Sequence, residues 1–363
     1  MSYLEPTEFV PKMIESGESK VHMSTKDTLI RSFMAGAILA LAAMFAITVA
    51  TKTGSPLLGA ILFPVGFIML YLMKFDLLTG VFTLVPLALI DKRPGVTVGE
   101  VLRNWGLVFI GNFGGALAVA LMMSFILTYG YNIDGGVLAE KVAKIGESRT
   151  LGYKAHGMDG WVTIFIRGML CNWMVSMGVV GAMISTSATG KMMAMWMPIM
   201  LFFFMSFEHS IVNMFLFPFS MIMGGGFTIS EYLIWNELPT VFGNLVGGFV
   251  LVGLPLYLTH VRTSPQRLVS DNSQLRKLTV SSISPSRTRE VASGESFDHQ
   301  WTPKPRRGLY YITPNSPNSY FTFIQMLQKT TMTLMDSVLM LAGPEFRKLM
   351  REELERNPGE KPN

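Results

Sequence analysis

The chain has 363 residues, half of them hydrophobic and only 15% charged, where a soluble domain carries about a quarter. That balance excludes an ordinary soluble globule and points to lipid. The formal charge of +5 is not gathered into a basic patch with interleaved aromatics, which argues against a nucleic-acid surface, and the single Cys171 lies in an apolar run with no second ligand for a disulfide or a metal.

Residues 1–28 are polar, with Glu5, Glu8, Lys12, Glu15 and Lys20, so no secretory signal precedes the first span; the acids also argue against an organellar transit peptide. A bilayer core needs about 20 apolar residues of helix, and residues 29–50 meet that once. Residues 56–90 are too long for one plain span: as continuous helix they would run roughly 50 Å. Their middle is interrupted by Lys74, Asp76, Thr79 and Gly80. The reading is a half-helix, an irregular loop and a second half-helix. Such backbone is tolerated at membrane depth only where it is buried in protein or lines a polar cavity. Residues 105–128 and 161–184 are plain spans. Residues 192–223 repeat the overlong pattern, broken at Ser206-Phe207-Glu208-His209-Ser210, and residues 239–259 form the last span.

Six membrane segments put both ends on one side. Lys92, Arg93 and Arg103 in loop 91–104, with Arg262 and Arg267 after the last span, mark that side as cytoplasmic; loop 224–237 has no Lys or Arg. The expected division is 1–28 as a cytoplasmic amino-terminal segment, 29–260 as the six-span domain and 261–363 as a cytoplasmic, largely disordered tail. The tail is rich in Ser, Thr, Pro and Arg, with Ser-Pro pairs at Ser264, Ser284 and Ser316.

The two halves repeat. Phe75-Asp76 matches Phe207-Glu208, and Gly111-Asn112 through Gly115 matches Gly243-Asn244 through Gly247. Asp76 precedes Asn112, and Glu208 precedes Asn244, by the same 36 positions. Three spans per half force opposite orientations, so the expected fold is an all-α polytopic membrane protein. It has six transmembrane helices in an inverted 3+3 repeat, two of them broken, with an aquaporin-like protomer and a permeation site near the midplane. Within that frame Asp76 and Glu208 read more readily as caps of half-helices than as substrate contacts. Asn112, Asn172 and Asn244 read as interhelical hydrogen-bond donors, and Gly114, Gly115, Gly247 and Gly248 as close-packing positions. No nucleophile–base constellation, metal cluster or cofactor motif is present, so no enzyme, metal or cofactor is expected.

The motif Phe207-Glu208-His209-Ser210, continuing through Asn213 to Phe215, resembles the second loop of the formate/nitrite transporter family. Asp76-Leu77-Leu78-Thr79-Gly80-Val81 resembles its first loop, and Gly168 through Trp173 its fourth span. Glu8, Glu15-Ser16-Gly17 and Lys20 resemble its amphipathic cytoplasmic helix. Leu78, Val81 and Lys74 depart from the family pattern. The resemblance implies a homopentamer in the bilayer in which each protomer has its own pore for a small anion and a proton. His209 would sit at the pore centre facing Thr79, with Glu208, Asn172 and Asn213 orienting the ring. Phe63 and Phe202 would form one apolar constriction, and Phe67, Leu77 and Val175 the other. Lys20, and Lys154 on the far side, would supply vestibule charge.

The function expected is proton-coupled passage of formate, nitrite, lactate or a similar monocarboxylate through a central histidine, in the plasma membrane. The alternatives are a nitrite or bicarbonate uptake channel and an aquaporin-like neutral-solute channel. The paired Asn-Pro-Ala loops of the latter type are absent from the sequence.

Overall fold

The computed structural model describes residues 3–263, which are helical throughout apart from turns and a single bridge between Tyr3 and Ser185. In chain order the helices are α1 (Pro6–Val21), α2 (Thr25–Thr53), α3 (Pro56–Leu72), α4 (Leu78–Ile90), α5 (Val98–Leu127) and α6 (Gly136–Ser148). They continue as α7 (Leu151–Lys154), α8 (Gly157–Ile184), α9 (Ala188–Phe204), α10 (Ser210–Ile222) and α11 (Ile229–Arg262). The tail expected from residue 261 onward lies almost wholly outside the described residues.

Four helices, α2, α5, α8 and α11, are long and apolar enough to cross a membrane; α3, α4, α9 and α10 are shorter apolar helices. The protein is therefore a multi-pass integral membrane protein. The long helices outrun the spans read from hydropathy because polar caps, not apolar content, set their ends. Ser24 Oγ accepts the Asp27 N–H at 3.1 Å, and Thr97 Oγ1 accepts that of Glu100 at 3.3 Å. Gly54, at φ +68°, ends α2 in the left-handed conformation that a Cβ disfavours. Pro56 then opens α3 behind the Ser55 cap.

Both breaks fall where the polar residues interrupt the overlong stretches. The chain leaves helix after Leu72 and re-enters it at Leu78; it leaves again after Phe204 and re-enters at Ser210. Lys74 (φ +57°) and Ser206 (φ +53°) occupy corresponding left-handed positions in the two loops. Helix α1 packs on α4, and its Gly17 allows the approach: a Cβ there would stand 2.2 Å from the Leu84 carbonyl oxygen.

Helix α11 carries π-helical turns at Leu233–Glu237, Val246–Gly253 and Leu258–Arg262. The first of these brings Asn236, fully buried, to the second break.

Candidate functional site

A helix that starts inside a protein leaves its first N–H groups without partners. At the first break Asn112 of α5 supplies one: its Oδ1 accepts the Leu78 N–H at 2.9 Å while Nδ2 donates to the carbonyls of Ser32 (2.8 Å) and Asp76 (2.9 Å). At the second, Asn244 of α11 does the same. Its Oδ1 accepts the Ser210 N–H at 3.0 Å, and Nδ2 donates to the carbonyls of Gly168 (2.8 Å) and Glu208 (2.9 Å). The asparagines expected to hold helices together thus hold the breaks to their neighbouring helices.

Asp76 and Glu208 do not cap the half-helices, contrary to the sequence reading. Leu77 and His209 occupy the cap positions, and the His209 ring is itself a cap, its Nδ1 accepting the Val212 N–H at 3.2 Å. The carboxylates instead turn to side chains of other elements. Asp76 is ion-paired to Lys20 of α1. Glu208, with no exposed surface, accepts from Tyr153 Oη at 3.1 Å, Asn213 Nδ2 at 3.0 Å and Asn236 Nδ2 at 3.2 Å. Its cation is Arg149, at 3.6 Å. Burial, followed by the Glu208 charge, pushes the Tyr153 phenol up to about 12, so it remains a neutral donor.

Because Nδ1 of His209 accepts a backbone N–H, the proton of the neutral ring sits on Nε2, which lies 3.2 Å from Thr79 Oγ1. Thr79 stands in the first turn of α4 and His209 at the start of α10, so the positive ends of both helix dipoles meet at this pair. Asn172 Nδ2 ties the two halves by donating to Thr79 O (3.1 Å) and Asn244 O (2.6 Å). Neither Glu208, Asn172 nor Asn213 bonds the imidazole. Its orientation comes from Val212, Thr79 and two aromatic rings: Phe202 stacked at 5.6 Å and Phe67 edge-on at 5.4 Å.

Phe63, Phe67 and Phe202 form one buried cluster, with centroids 5.7 to 5.9 Å apart. Leu77 and Val175, also buried, join Phe67 and Thr79 in the lining of a cavity of about 530 Å³ that opens beside Lys20. A second cavity, of about 590 Å³, is lined by Arg149, Tyr153, Arg167, Phe203, Ser206 and Val212 among others. Each cavity therefore reaches a direct neighbour of His209, Thr79 on one side and Val212 on the other, with the phenylalanine cluster and the imidazole between.

Lys154 does not line the second cavity; its Nζ pairs with Glu231 at 3.1 Å. Arg149 and Arg167 line that cavity instead. Sequence reasoning also missed Tyr153 and Asn236. The adjacent Asn236 and Glu237 in an apolar span are the signal that would have found the latter; Arg149 sits in a loop of mixed sign and gives none. Arg167 donates to the carbonyls of Met205 (3.3 Å) and Ser206 (3.0 Å), where α9 ends and its carbonyls lack helical partners.

The sequence profile of the formate/nitrite transporter family matches residues 7–258. An uncharacterized transporter of Bacillus subtilis, YrhG, is 31% identical over 274 residues, covering 74% of this chain and 97% of that protein. A probable formate transporter of Methanothermobacter thermautotrophicus is 30% identical over 274 residues, covering 72% and 98%. Among solved structures, a pentameric formate channel with formate bound aligns with a TM-score of 0.55 at 23% identity, over 65% of this chain and 98% of that one. At that identity the likeness shows the fold.

Proposed function

The chain belongs to the formate/nitrite transporter family, and on that premise we propose that it passes small monovalent anions of the formate, nitrite or lactate kind across a membrane. The observation that carries this reading is the Thr79–His209 pair, where two helix N-termini and an imidazole N–H converge between two cavities. The two helix N-termini and the imidazole N–H favour negative charge at that point. The surrounding phenylalanines oppose it, since an ion shed of water in an apolar constriction costs several kcal/mol or more. An anion is therefore drawn to the centre but crosses it best as the neutral acid.

His209 donates a hydrogen bond from Nε2 in its resting tautomer. Transfer of that proton to the anion requires a second proton on Nδ1 first, and so the release of the Val212 N–H. Proton coupling through His209 thus involves opening one backbone bond at the head of α10. The finer architecture we propose is six crossings in an inverted 3+3 repeat, α3–α4 and α9–α10 being the broken pair; the matched bonding of Asn112 and Asn244 supports it. A homopentamer in the plasma membrane with both termini cytoplasmic completes the proposal, the pentameric neighbour supporting the assembly.

Reconstituted protein should take up formate and nitrite, with accompanying proton movement. The His209→Phe variant should lose most of that movement while keeping its oligomer. Unchanged uptake by the variant refutes the role of His209, and flux of water or glycerol alone supports a neutral-solute channel.

A further inference from the structure

The cavity beside Lys20 holds more positive charge than its own acids balance. Lys12, Lys20, Arg31, Lys74 and Lys191 line it, against Glu15 and Asp76, which leaves a net charge of three. Lys20 is committed to Asp76, and Lys191 donates to the Ala182 carbonyl at 2.9 Å. Lys12, Arg31 and Lys74 have no ion pair or hydrogen bond from their side chains among the described residues. Lys74 is moreover held in left-handed backbone, which a residue with a Cβ disfavours. Its counterpart in the other loop, Ser206, carries no charge. The opposite cavity holds fewer uncommitted cations: Arg149 is bound to Glu208 and Arg167 to backbone carbonyls, which leaves Lys141 as its one lysine or arginine with no ion pair or hydrogen bond among the described residues.

We propose that this cavity is a binding site for a compact multivalent anion, such as a diphosphate, that seats in the mouth and blocks it. A potential acts on each charge of a ligand, so a trianion gains about three times what formate gains from the same cluster. The dehydration cost of entering the apolar constriction rises with the square of the charge in the same continuum picture. Cations that merely concentrate a monovalent substrate therefore hold a multivalent one, and Phe67, Leu77 and Val175 at the floor of the cavity refuse it. At about 530 Å³ the cavity is of the size that takes a small molecule. Binding stands apart from the transport reading; only the block rests on it.

The test is equilibrium binding of inorganic pyrophosphate to the purified full chain in neutral detergent at about 0.1 M salt, where screening reaches over about 10 Å. Wild-type protein should bind, the Lys74→Gly/Arg31→Ala double variant at least tenfold more weakly, and Lys141→Ala, in the opposite cavity, like wild type. Glycine suits the left-handed site, so the double variant should fold, as its thermal midpoint will report. Absence of binding to wild type, or equal binding by the double variant, overturns the site. In proteoliposomes, pyrophosphate on the amino-terminal side should slow formate flux, and on the other side should not. Binding without slowed flux overturns the block and keeps the site. Absence of any formate flux sinks the transport reading, while the binding measurement still decides the site.

Discussion

Replacing Asn244 with alanine removes three buried hydrogen bonds at once: to the carbonyls of Gly168 and Glu208, and from the Ser210 N–H. Interhelical hydrogen bonds in a membrane protein average about 0.6 kcal/mol, so three give a floor of about 2 kcal/mol. The ceiling comes from what is left behind. Ser210 N–H opens α10 and has no carbonyl in its own helix, and Glu208 O lies in the break. Stranding each costs about 1–3 kcal/mol, for a ceiling of about 6 kcal/mol. At roughly 2–4 °C per kcal/mol for a chain of this size, the thermal midpoint of the detergent-solubilised protein should fall by at least about 4 °C. Asn112→Ala, which strands the Leu78 N–H and the Asp76 carbonyl in the same way, should fall by a similar amount. Because the two asparagines share no partner, the double variant should lose about the sum. Formate flux should drop in Asn244→Ala even at temperatures where it is folded, since the same loop carries His209. An unmoved midpoint with intact flux would refute the argument: the breaks would then be held by their own backbone and not by the neighbouring helices.

Gly115→Ala should disrupt the α2–α5 packing and abolish well-folded protein, because the new Cβ would lie 1.9 Å from the Phe33 carbonyl oxygen. Gly114→Ala meets only the Phe33 ring at 3.6 Å and should be neutral or stabilising by up to about 1 kcal/mol, as thermal denaturation will show. Arg149→Met leaves Glu208 buried without its cation and should cost about 3 kcal/mol, the low end for breaking a buried pair given the 3.6 Å separation. Lys154→Met, breaking a pair whose side chains still reach solvent, should cost about 1 kcal/mol in the same assay, less than Arg149→Met. Tyr153, raised from 10 to about 12, favours the folded state while it is protonated. That contribution is complete below about pH 10 and is lost as pH rises to about 12; Tyr153→Phe should flatten the stability profile over that window, while at pH 5–9 it lowers stability for the lost bond to Glu208 without changing the slope.

The sequence by itself located the apolar helices and the two polar interruptions at which helix gives way to loop, because a bilayer imposes a constraint that can be read along the chain. A span needs a fixed length of apolar helix, and a polar interruption at that depth, such as Asp76-to-Gly80 or Glu208-His209, has to be an exception with a purpose. The shared 36-residue offset also revealed that Asn112 and Asn244 do one job. Only the tertiary structure decided which side chains meet. Glu208 finds Arg149, Tyr153 and Asn236, and His209 caps α10 through Nδ1 while the carboxylates beside the breaks turn to neighbouring helices. Those pairings join residues up to 59 positions apart, and they depend on how helices rotate and approach one another. The length of an apolar run fixes depth along the membrane normal; lateral contact between helices is set by small residues and buried polar groups scattered over the whole chain.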